Sequence, residues 1–102
     1  MKIDLLYFDG CPAWQNGLEN LKSALAREGM EAEINLVRVG DDAEAAKMKF
    51  LGSPSFRVDG MELWSEQREN YNLSCRVYPT PAGLRGAPTV EMLQEKLHAC
   101  KS

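Results

Sequence analysis

Lys2-Ile3-Asp4-Leu5-Leu6-Tyr7-Phe8-Asp9-Gly10-Cys11-Pro12-Ala13-Trp14 is the stretch on which the fold turns. Residues 2–8 are a short apolar run with aromatics, stopped by Asp9-Gly10. Such a run reads as a buried strand. Pro12 then suits the first turn of a helix, where its missing N–H leaves no bond unmade. Trp14, Leu18, Leu21 and Leu25 recur at i, i+4, i+7 and i+11, an amphipathic stripe that Gly29 ends. The spacing predicts a helix over about residues 12–28. A strand therefore passes directly into a helix, with Cys11 in the junction.

Outward from this unit, residues 31–39 alternate, with Ala32, Ile34 and Leu36 on one side and Glu33 and Asn35 on the other. Strand, helix and strand in about forty residues make a βαβ unit with a parallel pair. Asp42 is expected to cap a short helix through Ala43, Ala46 and Phe50, which Gly52-Ser53-Pro54 ends. Residues 55–58 read as a third strand, and Asp59-Gly60 is a strong turn signal. Residues 61–73 read as a hairpin extension or a long loop, and residues 74–78 as a fourth strand. Residues 79–88 hold three prolines and two glycines and read as loop. Thr89 is the expected N-cap of a last helix over residues 89–100, with its stripe at Val90, Leu93, Leu97 and Cys100. The order β-α-β-α-β-β-α predicts one α/β domain over residues 1–102, a four-stranded mixed sheet with helices on both faces.

Composition narrows the partners. The 102 residues are 44 % hydrophobic and 26 % charged, with a formal net charge of −3. The twelve Lys and Arg are spread from Lys2 to Lys101 and form no basic run. That argues against nucleic acid, which needs a clustered basic face. The first residues do not read as a signal peptide, because Asp4 and Asp9 break the apolar run. No stretch approaches the roughly 18–20 apolar residues of a membrane span. A cytoplasmic setting is the expectation, with its thiols reduced.

Cys11, Cys75 and Cys100 are odd in number and widely spaced, which does not read as a disulfide framework. Cys11 lies between Gly10 and Pro12 at a helix start. Helix N-termini present unpaired N–H groups and a partial positive charge, and both stabilise a thiolate, the nucleophilic form. The other reading of Cys11 is a small buried hydrophobe at a strand end. Cys75 reads either as a resolving thiol for an oxidised Cys11 or as a strand cysteine. Arg76 beside it either favours its thiolate or is solvated on the other strand face. Cys100 falls on the apolar stripe of the last helix and reads as core or as a frayed end. His98 is the only histidine, and no histidine lies near Cys11 in sequence. Metal-ligand spacing is absent and no cofactor motif is present, although two thiolates from Cys11 and Cys75 suit a soft ion.

Two motifs resemble the thioredoxin-like superfamily. Phe8-Asp9-Gly10-Cys11-Pro12-Ala13-Trp14 is similar to its active-site turn, with Cys11 at the nucleophile position. Gly52-Ser53-Pro54-Ser55-Phe56-Arg57-Val58-Asp59-Gly60 is similar to its cis-proline loop leading into the third strand. The element order agrees over essentially the whole chain, which looks most like small bacterial thioredoxin-family proteins of this length. The resemblance implies a thioredoxin-like fold and a cis Ser53-Pro54 bond beside Cys11. It also implies that the Ser53 backbone pairs with a bound peptide. Pro12, Trp14, Ser53 and Pro54 would then line the substrate side of the site. The chain departs from the family where Trp14 stands in place of the second cysteine, so the usual C-x-x-C disulfide cannot form. Trp14 also starts the helix stripe, which favours packing.

Two functions follow from these residues. One is a thiol protein performing monothiol-type exchange or reduction at Cys11, with protein or low-molecular-weight thiols and disulfides as partners and Cys75 or an external thiol resolving the product. The other is a non-catalytic binding module for a peptide, a small thiol or a soft metal such as mercury or arsenic. A purely structural domain with Cys11 incidental is the third.

Overall fold

The computed structural model describes residues 1–100. Strand β1 (Lys2–Tyr7) leads through a turn into helix α1 (Trp14–Arg27), and strand β2 (Glu33–Arg38) returns parallel to β1. Helix α2 (Asp42–Met48) follows, then strands β3 (Ser55–Val58) and β4 (Met61–Glu62). Strands β5 (Tyr78–Thr80) and β6 (Gly83–Arg85) precede helix α3 (Val90–Cys100). The main sheet has four strands in the order β2-β1-β3-β4, with β1 antiparallel to β3 and β3 antiparallel to β4. The sheet is therefore mixed, as the strand pattern predicts.

Alternation along β1 places helices on both faces. Ile3 and Leu5 join Leu21, Leu25, Leu93 and Leu97 in the larger core, so α1 and α3 cover one face. Leu6 points the other way, into a second core with Val39, Ala45 and Phe50 under α2. Burying each leucine of such a core contributes about 1.5–3 kcal/mol. The α1 stripe behaves as spaced: Leu21 and Leu25 are buried, while Trp14 and Leu18 pack at the core's margin. Among the described residues no helix is long and apolar enough to cross a membrane.

Three sequence expectations are corrected. The fourth strand of the sheet is β4, and residues 74–78 do not join that sheet as a strand. Asp59 and Gly60 both take positive φ, 50° and 88°, which makes a two-residue turn and sends the chain straight back along β3. The edge beside β3 is thereby taken before residue 74 is reached. The proline-rich stretch expected as loop holds the β5–β6 ribbon, where Pro79 pairs opposite Leu84. In a two-stranded ribbon every strand is an edge, where a proline is tolerated. Finally, Asp41 and not Asp42 caps α2, its Oδ1 accepting from the Glu44 N–H at 2.7 Å. Asp42 is turned elsewhere and accepts from the Leu73 N–H at 2.9 Å. Thr89 does cap α3, its Oγ1 accepting from the Met92 N–H at 3.1 Å.

Candidate functional site

Cys11 is held by a tight turn at the end of β1, its N–H donating to the Phe8 carbonyl at 3.1 Å. Pro12 is exposed, Ala13 is the N-cap residue, and α1 begins at Trp14. Cys11 is only 3 % exposed. Its Sγ donates to the Ser53 carbonyl at 3.4 Å, across 42 residues of sequence. Trp14 stacks on Tyr7 with ring centroids 4.1 Å apart, which agrees with its place on the packing stripe.

The Ser53-Pro54 bond is cis, and Ser53 and Pro54 are both buried. Helix α1 approaches this loop at Gly17: a Cβ there would lie 3.0 Å from Pro54 Cγ and 3.3 Å from the Phe56 ring. The Pro54 carbonyl accepts from the buried Tyr78 hydroxyl at 2.5 Å. Burial pushes the Tyr78 phenol well above its ordinary range.

Residues 74–76 lie along Ser53. The Ser53 N–H donates to the Ser74 carbonyl at 2.8 Å, and the Arg76 N–H donates to the Ser53 carbonyl at 2.9 Å. Ser53 and Cys75 thus pair in parallel register as a single isolated bridge. Gly52, at φ 110°, makes this approach possible, because a Cβ there would sit 3.0 Å from Arg76 Cβ. The segment is anchored on both sides of the bridge. The Arg76 guanidinium donates to the Trp64 carbonyl, lies 3.8 Å from Glu62 and 3.7 Å from Glu66, and stands 5.2 Å from the centre of the Tyr78 ring. Arg76 is neither solvated nor turned to Cys75; it is buried, and Glu62 also binds Arg57 at 2.6 Å.

This arrangement brings Cys11 and Cys75 to the same residue. All three cysteines are free; Cys11 is buried, and Cys75 and Cys100 are exposed. The Cys75 thiol is raised in pKa, first by partial desolvation and then by the Cys11 thiol next to it. Cys100 lies at the exposed end of α3 and takes no part in the site. Two adjacent thiols of this kind can join in a disulfide, losing two electrons and two protons, or share a two-coordinate soft cation. No group of three or more His, Cys, Asp or Glu side chains converges on a metal position among the described residues.

Sequence reasoning singled out Cys11, Cys75, Pro12, Trp14, Ser53 and Pro54; the fold gathers Cys11, Cys75, Ser53 and Pro54, while Trp14 packs on Tyr7 at the core's margin and Pro12 is exposed beside Cys11. It missed the parts that hold them: Gly17, Gly52, Asp42 and Arg76 as anchors, and the Tyr78 hydroxyl. Gly52 carries a visible signal, a glycine directly before Ser53-Pro54, where another backbone comes close. Asp42 and Tyr78 carry none, because their partners are 31 and 24 residues away. Comparison with protein-family models, curated proteins and solved structures finds no match.

Proposed function

We propose that the protein is a thioredoxin-like thiol protein whose Cys11 and Cys75 form a redox pair for thiol–disulfide exchange. The observation that carries this reading is that the Cys11 thiol and the Cys75 backbone both meet Ser53. Cys11 donates to its carbonyl, and Cys75 pairs with it in register. The missing C-x-x-C partner at Trp14 is then supplied from residue 75 of the chain. The cis Ser53-Pro54 bond, the strand-to-helix position of Cys11 and the mixed four-stranded sheet support the thioredoxin-like assignment. A reducing cytoplasmic setting suits a pair that cycles between dithiol and disulfide.

Mild oxidation of the reduced protein with hydrogen peroxide or a small disulfide tests this, followed by mass mapping. The expected product is an intramolecular Cys11–Cys75 disulfide with Cys100 unchanged. Cys11 found only as sulfinic acid, or only as an external adduct with Cys75 still reduced, rejects the pair. A second reading, a binding module for a thiophilic cation, is favoured by the same adjacency. It predicts stoichiometric uptake of silver ion that Cys11→Ser and Cys75→Ser each abolish, with no disulfide formed by peroxide.

A further inference from the structure

The Ser53 backbone is hydrogen-bonded to residues 74–76 through both of its bonding groups. Its N–H goes to Ser74 and its carbonyl to Arg76. An extended polypeptide pairing beside Cys11 would need those same two groups, because strand addition works through exposed backbone donors and acceptors. The chain's own segment already fills them. It is also firmly held: Asp42 takes the Leu73 N–H at one end, the Tyr78 hydroxyl binds the Pro54 carbonyl at the other, and the buried Arg76 side chain lies between. What remains accessible is Cys75, an exposed residue, whereas Cys11 is 3 % exposed.

We infer that the Cys11–Cys75 pair exchanges with low-molecular-weight disulfides, entering at Cys75, and that residues 74–76 close the site to extended polypeptide disulfides. The inference rests on the redox pair proposed above. In the first step the Cys75 thiolate attacks one sulfur of a small disulfide RS–SR. A Cys75–SR bond forms, the RS–SR bond breaks and RS⁻ leaves. In the second step Cys11, deprotonated to the thiolate, attacks the Cys75 sulfur. The Cys11–Cys75 bond forms, the Cys75–SR bond breaks and a second RS⁻ leaves. The two RS⁻ take up the two thiol protons. The protein dithiol is oxidised by two electrons and the small disulfide is reduced to two thiols. Reachability, and not thiol acidity, sets the order of attack.

The test uses the full chain with Cys100→Ser, so that the exposed third thiol does not react. Formation of the Cys11–Cys75 bond is followed with oxidised glutathione and with an unstructured peptide homodimer joined through one central cysteine. Glutathione disulfide is expected to react at least about tenfold faster, because an extended chain pairs beside Cys11 only after residues 74–76 have opened. Arg76→Met, or Asp42→Asn where the first does not fold, loosens the segment and is expected to raise the peptide rate relative to the glutathione rate. Under glutathione disulfide, Cys11→Ser is expected to accumulate the Cys75 adduct, whereas Cys75→Ser leaves Cys11 unmodified over the same time. Equal rates for glutathione disulfide and peptide in the unaltered segment overturn the inference and leave the redox pair standing. So does adduct formation on Cys11 in Cys75→Ser as fast as on Cys75 in Cys11→Ser. Absence of the Cys11–Cys75 bond with both disulfides overturns the redox pair and the inference with it.

Discussion

Ser53 has no exposed surface, yet three groups converge on its backbone: the Cys11 thiol, the Ser74 carbonyl and the Arg76 N–H. Its side chain does none of this. Ser53 Oγ is buried with no hydrogen-bond partner among the described residues. A buried hydroxyl without a partner costs stability, so its removal is nearly free. Ser53→Ala is expected to leave the denaturation midpoint within the equivalent of about 0.5 kcal/mol and the Cys11–Cys75 pairing intact. A larger loss would mean that Oγ holds a bond. Tyr78 is the opposite case, because its hydroxyl binds the Pro54 carbonyl from a buried position. Tyr78→Phe is expected to cost about 1–2 kcal/mol in chemical denaturation. The sign of its pH effect follows from the raised phenol pKa, caused chiefly by burial. The stability Tyr78 contributes is fully present below the ordinary phenol range and is lost as pH rises above about 10. Stability measured across that alkaline range should fall less steeply for Tyr78→Phe than for the parent chain.

At the scale of elements, the segment over residues 63–77 decides what the site is. It begins after β4, is pinned to the sheet through Arg76 and ends at Tyr78 in β5. Gly52 is the position where its approach is tightest. Gly52→Ala combines a φ of 110° with a Cβ 3.0 Å from Arg76, so it is expected to cost about 1–3 kcal/mol. It should also speed alkylation of Cys11 by a small reagent such as iodoacetamide. Destabilisation with no change in Cys11 alkylation would place the strain elsewhere. The same segment marks where the sequence stopped being legible. β1, α1, β2 and β3 have periodic patterns and punctuation at Gly10, Gly29 and Asp59-Gly60, so local chemistry specifies them. Residues 61–77 have no period because they are fixed by single long-range bonds, such as Leu73 to Asp42 and Arg76 to Trp64. Cys11 was legible from its junction. The role of residue 75 depended on a backbone pairing 22 positions back, and no local pattern encodes that.

Across the whole molecule, the two thiols belong to opposite ends of the chain's organisation. Cys11 closes the first strand of the βαβ unit, and Cys75 sits beyond the β3–β4 hairpin. Leu36, Met61, Val77 and Leu84 are the large apolar side chains left most exposed besides Met1, and they are scattered over β2, β4, the anchored segment and β6. Single exposed apolar residues of that kind are ordinary. The bridge at Ser53 has a thermodynamic consequence. A bond between Cys11 and Cys75 would tie a loop of more than half the chain, and such a constraint removes unfolded-state entropy worth about 4 kcal/mol. The oxidised protein is therefore expected to melt at least about 10 °C above the reduced one in paired calorimetry scans. Equal melting temperatures with the bond verified by mass would mean that closing it strains the folded state by as much as it restrains the unfolded one. In the expected case, thermal shift becomes a direct gauge of the redox poise around the protein, readable without any substrate.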